Sequence, residues 1–371
     1  MRTPYNGRGP SARLQEVLAH ISHSDPAGVD PSQALSSTMT TTRKLPAFDE
    51  LPTFKEFTGC AWEVWGKDDQ LGTVNLLTPE VVKEASKEIK TGKSIALNWP
   101  VNFPNKPVFG RKQPEHEVIY KAEFGAVQDD HLHINTQSGT QWDGLKHFGL
   151  LHHSLFYQNT PALSFKTGAI SFPDPNNIDP EVIKLGIHNW AQHGICGRGV
   201  LLDLVKYYTE KHGKLPYDPF TTHAIPLEDL QAAAKAQGVT FQPADILILR
   251  VGFMLRYYGA TQEERDGLPD KPETFAGIEQ SEDMKRFLWD NHFAAIASDQ
   301  PSLERWPPPE GVRHLHSTLL GLWGMPIGEF FDLEALAKHC AETGRYTFFF
   351  SSWPLNVLGG VASPPNAAAY F

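Results

Sequence analysis

Two short apolar runs constrain the fold of this chain more than any other feature of its sequence. Residues 199–204 and 245–252 are mostly apolar and are bounded by turn residues, which is typical of strands buried on both faces of a sheet. Between them a helix is predicted, with Pro226 near its first turn, a body over residues 227–236, and Gly238 at its end. Two buried strands joined through a helix indicate an α/β domain with a mixed sheet.

Other segments extend this pattern along the chain. Thr78, followed by Pro79 and Glu80, predicts the start of a helix that runs to about residues 91–92. Further elements are predicted from periodicity: strands at 94–99, 117–124, 131–137, 294–299 and 346–351, and helices at 282–291 and 332–340. The alternation in 131–137 would place His131 and His133 on one strand face, either as spare metal ligands or as the polar side of an edge strand.

Composition excludes several classes of function. The chain has 371 residues, 40% of them hydrophobic, and a net charge of −10, which argues against nucleic acid as a partner. No apolar run is long enough for a membrane helix, so we expect no membrane partner. The cysteines are far apart and lack a disulfide or zinc spacing, which favours a reducing, cytoplasmic location; they are Cys60, Cys196 and Cys340.

The chain divides by composition near residue 45. Residues 1–45 are rich in Ser, Thr, Pro and Gly, which predicts a disordered N-terminal extension. Residues 46–371 show no internal repeat and no long linker. We therefore expect them to form one catalytic domain.

Residues 137–147 carry the most chemistry in the sequence. Gln137, Gln141 and Asp143 offer two amide oxygens and a carboxylate, and His147 follows close enough to accept a proton from a water molecule. A metal hydrolase needs several ligands and an open position for water. Amide oxygens favour Mn²⁺, Mg²⁺ or Ca²⁺ over Zn²⁺. Alternatively, the two glutamines only form hydrogen bonds and Asp143 caps a turn.

The motif at 137–147 resembles the signature His-x-Gly-Thr-His-x-Asp-x-x-x-His of the cyclase family, which includes bacterial kynurenine formamidases and isatin hydrolases. Gln137 and Gln141 stand where that signature has its first two histidines, while the Gly-Thr core, Asp143 and His147 match. Other segments similar to the family follow in the expected order: residues 197–203, 297–304, 314–320, 328–329 and 354–365.

The resemblance implies a swivelling β/β/α domain and a set of site residues. It puts Gln137, Gln141 and Asp143 at metal-ligand positions and His147 at the catalytic histidine. It also implies His316 and Glu329 as further ligands or acid/base partners. Two sets of residues have a less definite place: His314 is a rival to His316 on the same strand face, and Asp299 and Glu304 are expected to support the pocket.

The function implied is hydrolysis of a cyclic or aromatic amide, lactone or ester by water, with His147 and Glu329 as acid and base. The ion, or Thr140 together with backbone donors, would steady the oxyanion. The cofactor would be a divalent metal, chiefly Mn²⁺ or Zn²⁺, with Mg²⁺ or Ca²⁺ as alternatives. A metal-free cyclase or lyase using His147 and Glu329, or a non-catalytic protein that binds a small molecule, remain alternatives.

The resemblance also implies self-association, and we expect a homodimer or homotetramer that binds a small-molecule substrate. Aromatic walls would suit a flat ring. Six tryptophans lie near the matching segments, and one or two of them are expected to contact substrate: Trp62, Trp65, Trp142, Trp306, Trp323 and Trp353.

Overall fold

The computed structural model describes residues 45–371, which form a mixed α/β domain. The extension predicted at residues 1–45 lies outside the described residues except for Leu45, and the boundary predicted there stays a prediction. Among the described residues, no helix is both long and apolar enough to cross a membrane.

The strands are numbered here in chain order. They are β1 Ser94–Ala96, β2 Glu115–Tyr120, β3 Gln128–His133, β4 Gln141–Asp143, β5 Leu155–Phe156, β6 Thr160–Pro161, β7 Ile195–Asp203, β8 His223–Ile225, β9 Ile246–Arg250, β10 Ala276–Ile278, β11 Ala295–Ser298, β12 Ile327–Glu329, β13 Thr347–Ser352, β14 Ala362–Ser363 and β15 Ala367–Tyr370.

The α-helices lie between the strands along the chain, except that the first precedes β1. They are α1 Pro79–Ala85, α2 Pro180–Ile183, α3 His188–His193, α4 Leu204–His212, α5 Leu227–Ala236, α6 Phe253–Gly259, α7 Gln262–Asp266, α8 Glu282–Asp290 and α9 Glu334–Thr343. A π-helix spans Ser317–Trp323, and single 3₁₀ turns occupy several of the connections.

One large mixed sheet organises the domain, with the strand order β1-β15-β13-β7-β9-β11-β12-β4-β14. The four central strands β7, β9, β11 and β12 are parallel, and the strands on either side join them antiparallel. The mixed sheet and single α/β domain predicted from the two buried runs are confirmed, because β7 and β9 are neighbours with almost fully buried side chains.

Most apolar side chains form one core around the central strands, and a second aromatic cluster lies beside it. The second cluster contains Trp99, Phe253, Tyr257, Phe275 and Phe330, with Phe109 and Trp306 packed against it. Because those last two side chains also line the pocket described below, the core fixes the aromatic wall of the site.

Several predicted elements are shorter than expected, and the strand predicted at 94–99 is one of them, because β1 ends at Ala96. The Thr78 hydroxyl does cap the helix that starts at Pro79, but α1 ends at Ala85 and a 3₁₀ turn follows. β2 ends at Tyr120, and β3 ends at His133. The prediction that this strand continues to residue 137 was therefore wrong. Alternation cannot locate the end of a strand when the residues beyond it are also polar.

The β2–β3 ribbon is exposed on both faces. His131 lies opposite Glu117 in this ribbon, and neither His131 nor His133 lines the pocket of the site. Of the two interpretations of these histidines, the polar face of an exposed ribbon agrees with the structure, and the spare-ligand hypothesis was wrong.

Candidate functional site

The motif strand β4 lies inside the large sheet, paired with β12 on one side and β14 on the other. The register sets Gln141 opposite Glu329 and Asp143 opposite Ile327. Directly opposed residues project to the same face of a sheet. Antiparallel pairing therefore brings Gln141 of the motif to a glutamate that is 188 residues away in sequence.

The Gly-Thr core of the motif has a structural role. A Cβ on Gly139 would lie 2.3 Å from the carbonyl oxygen of Phe103, so only glycine fits this approach. The Thr140 hydroxyl accepts a hydrogen bond from Trp99 N at 2.8 Å and donates to Phe330 O at 2.7 Å. Since its proton is already used, the expectation that Thr140 steadies an oxyanion was wrong.

Asp143, His316 and Glu329 meet beneath the pocket, and we call them the buried triad. One ligand atom of each lies within 4.8 Å of the others. His316 Nε2 is 3.2 Å from Glu329 Oε1 and 3.7 Å from Asp143 Oδ2. All three residues are almost completely buried. A carboxylate pair and an imidazole at this spacing form a ligand set that Mn²⁺ or Zn²⁺ accepts.

Glu304 fixes the orientation of the His316 ring. Its Oε2 lies 3.1 Å from His316 Nδ1 and also accepts the backbone N–H of His316 at 3.0 Å. Because a carboxylate requires a donor, the proton belongs on Nδ1. A neutral His316 would then direct the lone pair of Nε2 at two carboxylates. Because a lone pair and two carboxylates repel one another, this arrangement is stable only if Nε2 carries a proton or binds a cation. A cation at Nε2 would complete the carboxylate–histidine–metal pattern.

Asp143 supplies a direct test of whether a metal fits. Its Oδ2 is buried and has no hydrogen-bond partner among the described residues, although buried polar atoms are normally paired. This oxygen lies on the side of the carboxylate that faces His316 Nε2, at 3.7 Å, and His147 Nε2, at 3.8 Å. An unpaired anionic oxygen beside a ring nitrogen fits a divalent cation.

Gln137 and Gln141 also lie at the triad, but they turn their amide nitrogens toward it. Gln137 Nε2 donates to Asp143 Oδ1 at 2.6 Å. Gln141 Nε2 donates to the same oxygen at 3.0 Å and to Glu329 Oε2 at 2.7 Å. Carboxylates accept and do not donate, so both glutamines act here as donors that orient the acids. Their role as metal ligands stays a prediction and would require their amide groups to rotate.

Burial and close charges shift the pKa values of this site. Burial together with the Asp143 charge raises the pKa of Glu329 to about 7. Burial opposes ionisation of Asp143 and Glu304, yet the neighbouring histidines lower the pKa of both carboxyls, that of Glu304 to about 2. Burial disfavours a charged His316, but Glu304 and the triad acids raise its pKa well above its ordinary value. Without a metal ion, a proton on His316 Nε2 would balance the charge of these acids.

His147 lies at the mouth of the triad on the turn after β4 and is partly exposed. Burial lowers the pKa of its imidazole, so the ring is neutral near pH 7 and able to accept a proton. The structure thus brings together every residue predicted for the site: Gln137, Gln141, Asp143, His147, His316 and Glu329.

The surroundings of His314 and His316 show which of the two belongs to the site. His314 Nδ1 lies 3.3 Å from Glu304 Oε1, and its ring packs on Trp306 with centroids 4.8 Å apart. His316 alone belongs to the triad. The strand predicted here was wrong, since His316 directly precedes the π-helix Ser317–Trp323, a rare element that often marks functional sites.

A pocket of about 290 Å³ opens above the triad. Its lining combines an aromatic wall with a few polar groups: Phe109, Arg111, His147, Phe148, Pro301, Ser302, Trp306, His316 and Glu329. Of the tryptophans considered from the sequence, Trp306 lines the pocket, whereas Trp142 and Trp323 are buried in the main core. Asp299 accepts the backbone N–H groups of Val251 and Gly252, consistent with a supporting role.

Sequence reasoning missed Arg111, Phe109 and Phe148. Phe148 follows His147 directly, and that adjacency was an available signal. Arg111 precedes the motif by 26 residues and belongs to no recognisable pattern. Only the folded chain brings its guanidinium to the motif.

Comparison with known proteins shows which family this chain is similar to. The model of the family described as "Putative cyclase" matches residues 39–305. A crystal structure of a novel cyclase is 33% identical, with 84% of this chain and 99% of that chain covered and a TM-score of 0.71. Among curated proteins no match was found.

Two more distant structures are also similar. Isatin hydrolase A from Labrenzia aggregata, bound to benzyl benzoate, is 14% identical, covers 80% of this chain and 98% of its own, and has a TM-score of 0.49. A predicted metal-dependent hydrolase from Bacillus stearothermophilus is 18% identical, with coverages of 76% and 98% and a TM-score of 0.43. The extent of the family match, together with the 33% identical cyclase structure, establishes that the chain belongs to the cyclase family.

Proposed function

We propose that this protein is a metal-dependent hydrolase that opens a cyclic or aromatic amide, lactone or ester. The observation that carries the proposal is the unpaired, buried Oδ2 of Asp143 beside His316 Nε2, whose ring Glu304 orients. Asp143, His316 and Glu329 would hold the ion. A bound divalent ion supplies Lewis acidity, which activates water and polarises a carbonyl oxygen.

The chain's own residues then account for proton transfer. His147 is neutral and lies beside the triad, so it accepts the proton of a water whose oxygen adds to the carbonyl carbon. It returns that proton to the leaving nitrogen or oxygen as the C–N or C–O bond breaks. Gln137 and Gln141 keep Asp143 and Glu329 oriented through their N–H groups.

The test of this mechanism is hydrolysis of simple members of the three substrate classes. Phenyl acetate, dihydrocoumarin and formanilide would be offered to the full chain with Mn²⁺ and again after chelation. We expect turnover of at least one class that chelation abolishes. His147→Ala should lower kcat by about 10²- to 10⁴-fold, the usual contribution of a general base, without loss of bound metal.

His152→Ala is the matched control, because this neighbouring histidine is exposed and lies outside the pocket lining. It should keep the activity of the unmodified protein. Full turnover by His147→Ala on a substrate that the unmodified protein hydrolyses would rule out this mechanism.

A metal-free cyclase or lyase is the second candidate, and one observation favours it. A protonated His316 could donate from Nε2 to Glu329 Oε1 at 3.2 Å and so supply the positive charge of the triad without a metal. His147 and Glu329 would then act as base and acid. Activity that resists chelation would support this candidate, while binding without any turnover would support a non-catalytic protein.

A further inference from the structure

Arg111 holds a position in the pocket that the proposed hydrolytic mechanism does not use. One of its terminal nitrogens donates to Gln137 O at 2.6 Å and more weakly to Gln141 Oε1 at 3.3 Å. The guanidinium lies over the ring of Phe109, with its carbon 4.9 Å from the ring centroid. The side chain is thus held against the aromatic wall and beside the motif.

The rest of this guanidinium has no partner among residues 45–371. Nε and the second terminal nitrogen of Arg111 make no hydrogen bond there, and no described carboxylate pairs with it. Two other partly buried arginines behave differently, since Arg198 binds Asp245 and Arg250 binds Glu334 through two nitrogens each. A guanidinium edge left free in a pocket is suited to a planar anionic group.

Ser302 adds a second unsatisfied group. Its side chain is 2% exposed, lines the same pocket, and its hydroxyl has no hydrogen-bond partner among the described residues. Buried hydroxyl groups usually have partners. The free guanidinium edge therefore points to a ligand that brings hydrogen-bonding oxygens, and the unpaired Ser302 hydroxyl is buried in the wall of the same pocket.

We propose that the substrate is a flat aromatic compound that carries a carboxylate or another anionic oxygen, and that Arg111 binds this anion through its free edge. The ring would pack on Phe109, Phe148 and Trp306, with the bond to be broken facing His147. This inference rests on the proposed function, because it names the substrate class of the same site.

Charge supports this arrangement. In the chelated protein, Asp143 and Glu329 would repel an anion that enters the pocket, so binding of an anion there requires a compensating cation elsewhere in the lining. Arg111 provides that cation because its guanidinium is always charged. Its planar fork favours a compound that carries a carboxylate over the same compound with a neutral ester or amide in place of that carboxylate.

The experiment compares two fluorescent probes, 2-aminobenzoate and its methyl ester, in which a neutral ester group replaces the carboxylate. Both are titrated into the full chain as purified and again after chelation, because a bound metal could itself attract the carboxylate. We expect 2-aminobenzoate to bind about 10-fold more tightly than the ester in both preparations, as a charge-assisted pair allows. Equal affinities, or no binding of 2-aminobenzoate, would overturn the proposal.

Variants separate recognition from support of the site. Arg111→Gln should remove the preference for the anion, and Arg111→Lys should keep only part of it because the fork is lost. Lys112→Gln removes a charge from the exposed neighbouring residue, which pairs with Glu115, and should leave the preference unchanged. A purely structural role through Gln141 would weaken both probes equally, and that result, like a preference retained in Arg111→Gln, would refute recognition by Arg111.

The two proposals fail in different ways. If the protein held no metal and hydrolysed nothing, the ratio of the two probe affinities would still report on Arg111. If metal and hydrolysis were present but the ratio were one, only the substrate class would be wrong.

Discussion

Four side chains build the candidate metal site at the scale of single residues. Asp143 and Glu329 supply negative charge, Glu304 fixes the His316 ring, and His316 presents Nε2 to both triad acids. The sequence motif contains Asp143 alone of these four. The others are recognisable from the sequence only through the family resemblance, because nothing local links them to the motif.

Glu304 is a positioning residue, and its loss should weaken metal binding. Glu304→Gln removes the charge that holds the proton on His316 Nδ1 and lowers the basicity of Nε2. Outer partners of this kind are worth about 10- to 100-fold in metal affinity, so we expect a loss of that size in a competitive Mn²⁺ titration. His314→Gln removes the other partner of Glu304 and is the control, with little expected change. Unchanged affinity in Glu304→Gln would contradict this role.

Metal uptake should depend on pH. The pKa of Glu329 is about 7 and that of His316 is raised, so both groups must lose protons before they can bind an ion. Affinity for Mn²⁺ should therefore rise from pH 6 to pH 8, by up to about tenfold per pH unit for each proton released. Glu329→Gln should bind more weakly and show a shallower dependence. Affinity independent of pH would speak against these ligands.

At the scale of elements, the pairing of β4 with β12 builds the site. Both strands carry polar residues of the site, and the pairing register sets Gln141 opposite Glu329. The buried strands β7 and β9 and the helix between them were predictable because continuous apolar runs report burial directly. β4 and β12 are three residues long and partly polar, so periodicity could not identify them.

A substitution at Gly328 tests how closely β12 must pack against its neighbours. A Cβ there would lie 2.5 Å from Ala297 Cβ and 2.9 Å from the Trp142 ring. Gly328→Ala should therefore lower the free energy of unfolding by about 1–3 kcal/mol, the usual cost of overpacking, as measured by urea denaturation. Gly259→Ala is the control, because nothing lies within 4 Å of a Cβ there. An equal effect of both substitutions would mean that packing at β12 is not limiting.

At the scale of the whole molecule, the fold gathers residues from several separate segments of the chain at one pocket. The α/β class and the membership of Asp143, His147, His316 and Glu329 in one site were accessible from the sequence, the latter through the order of family-like segments. Arg111, the aromatic wall and the donor role of the glutamines were not. They depend on side-chain orientation and on contacts between remote segments, which no spacing in the sequence encodes.

The central claim is that the buried triad holds a divalent metal, and elemental analysis by plasma mass spectrometry tests it most directly. The full chain would be compared with Asp143→Asn and with Asp245→Asn, which makes the same change at a buried carboxylate paired with Arg198 outside the pocket. We expect near-stoichiometric Mn or Zn in the unmodified protein and in Asp245→Asn, and its loss in Asp143→Asn. Absence of metal from the unmodified protein, or equal metal in Asp143→Asn, would contradict the account.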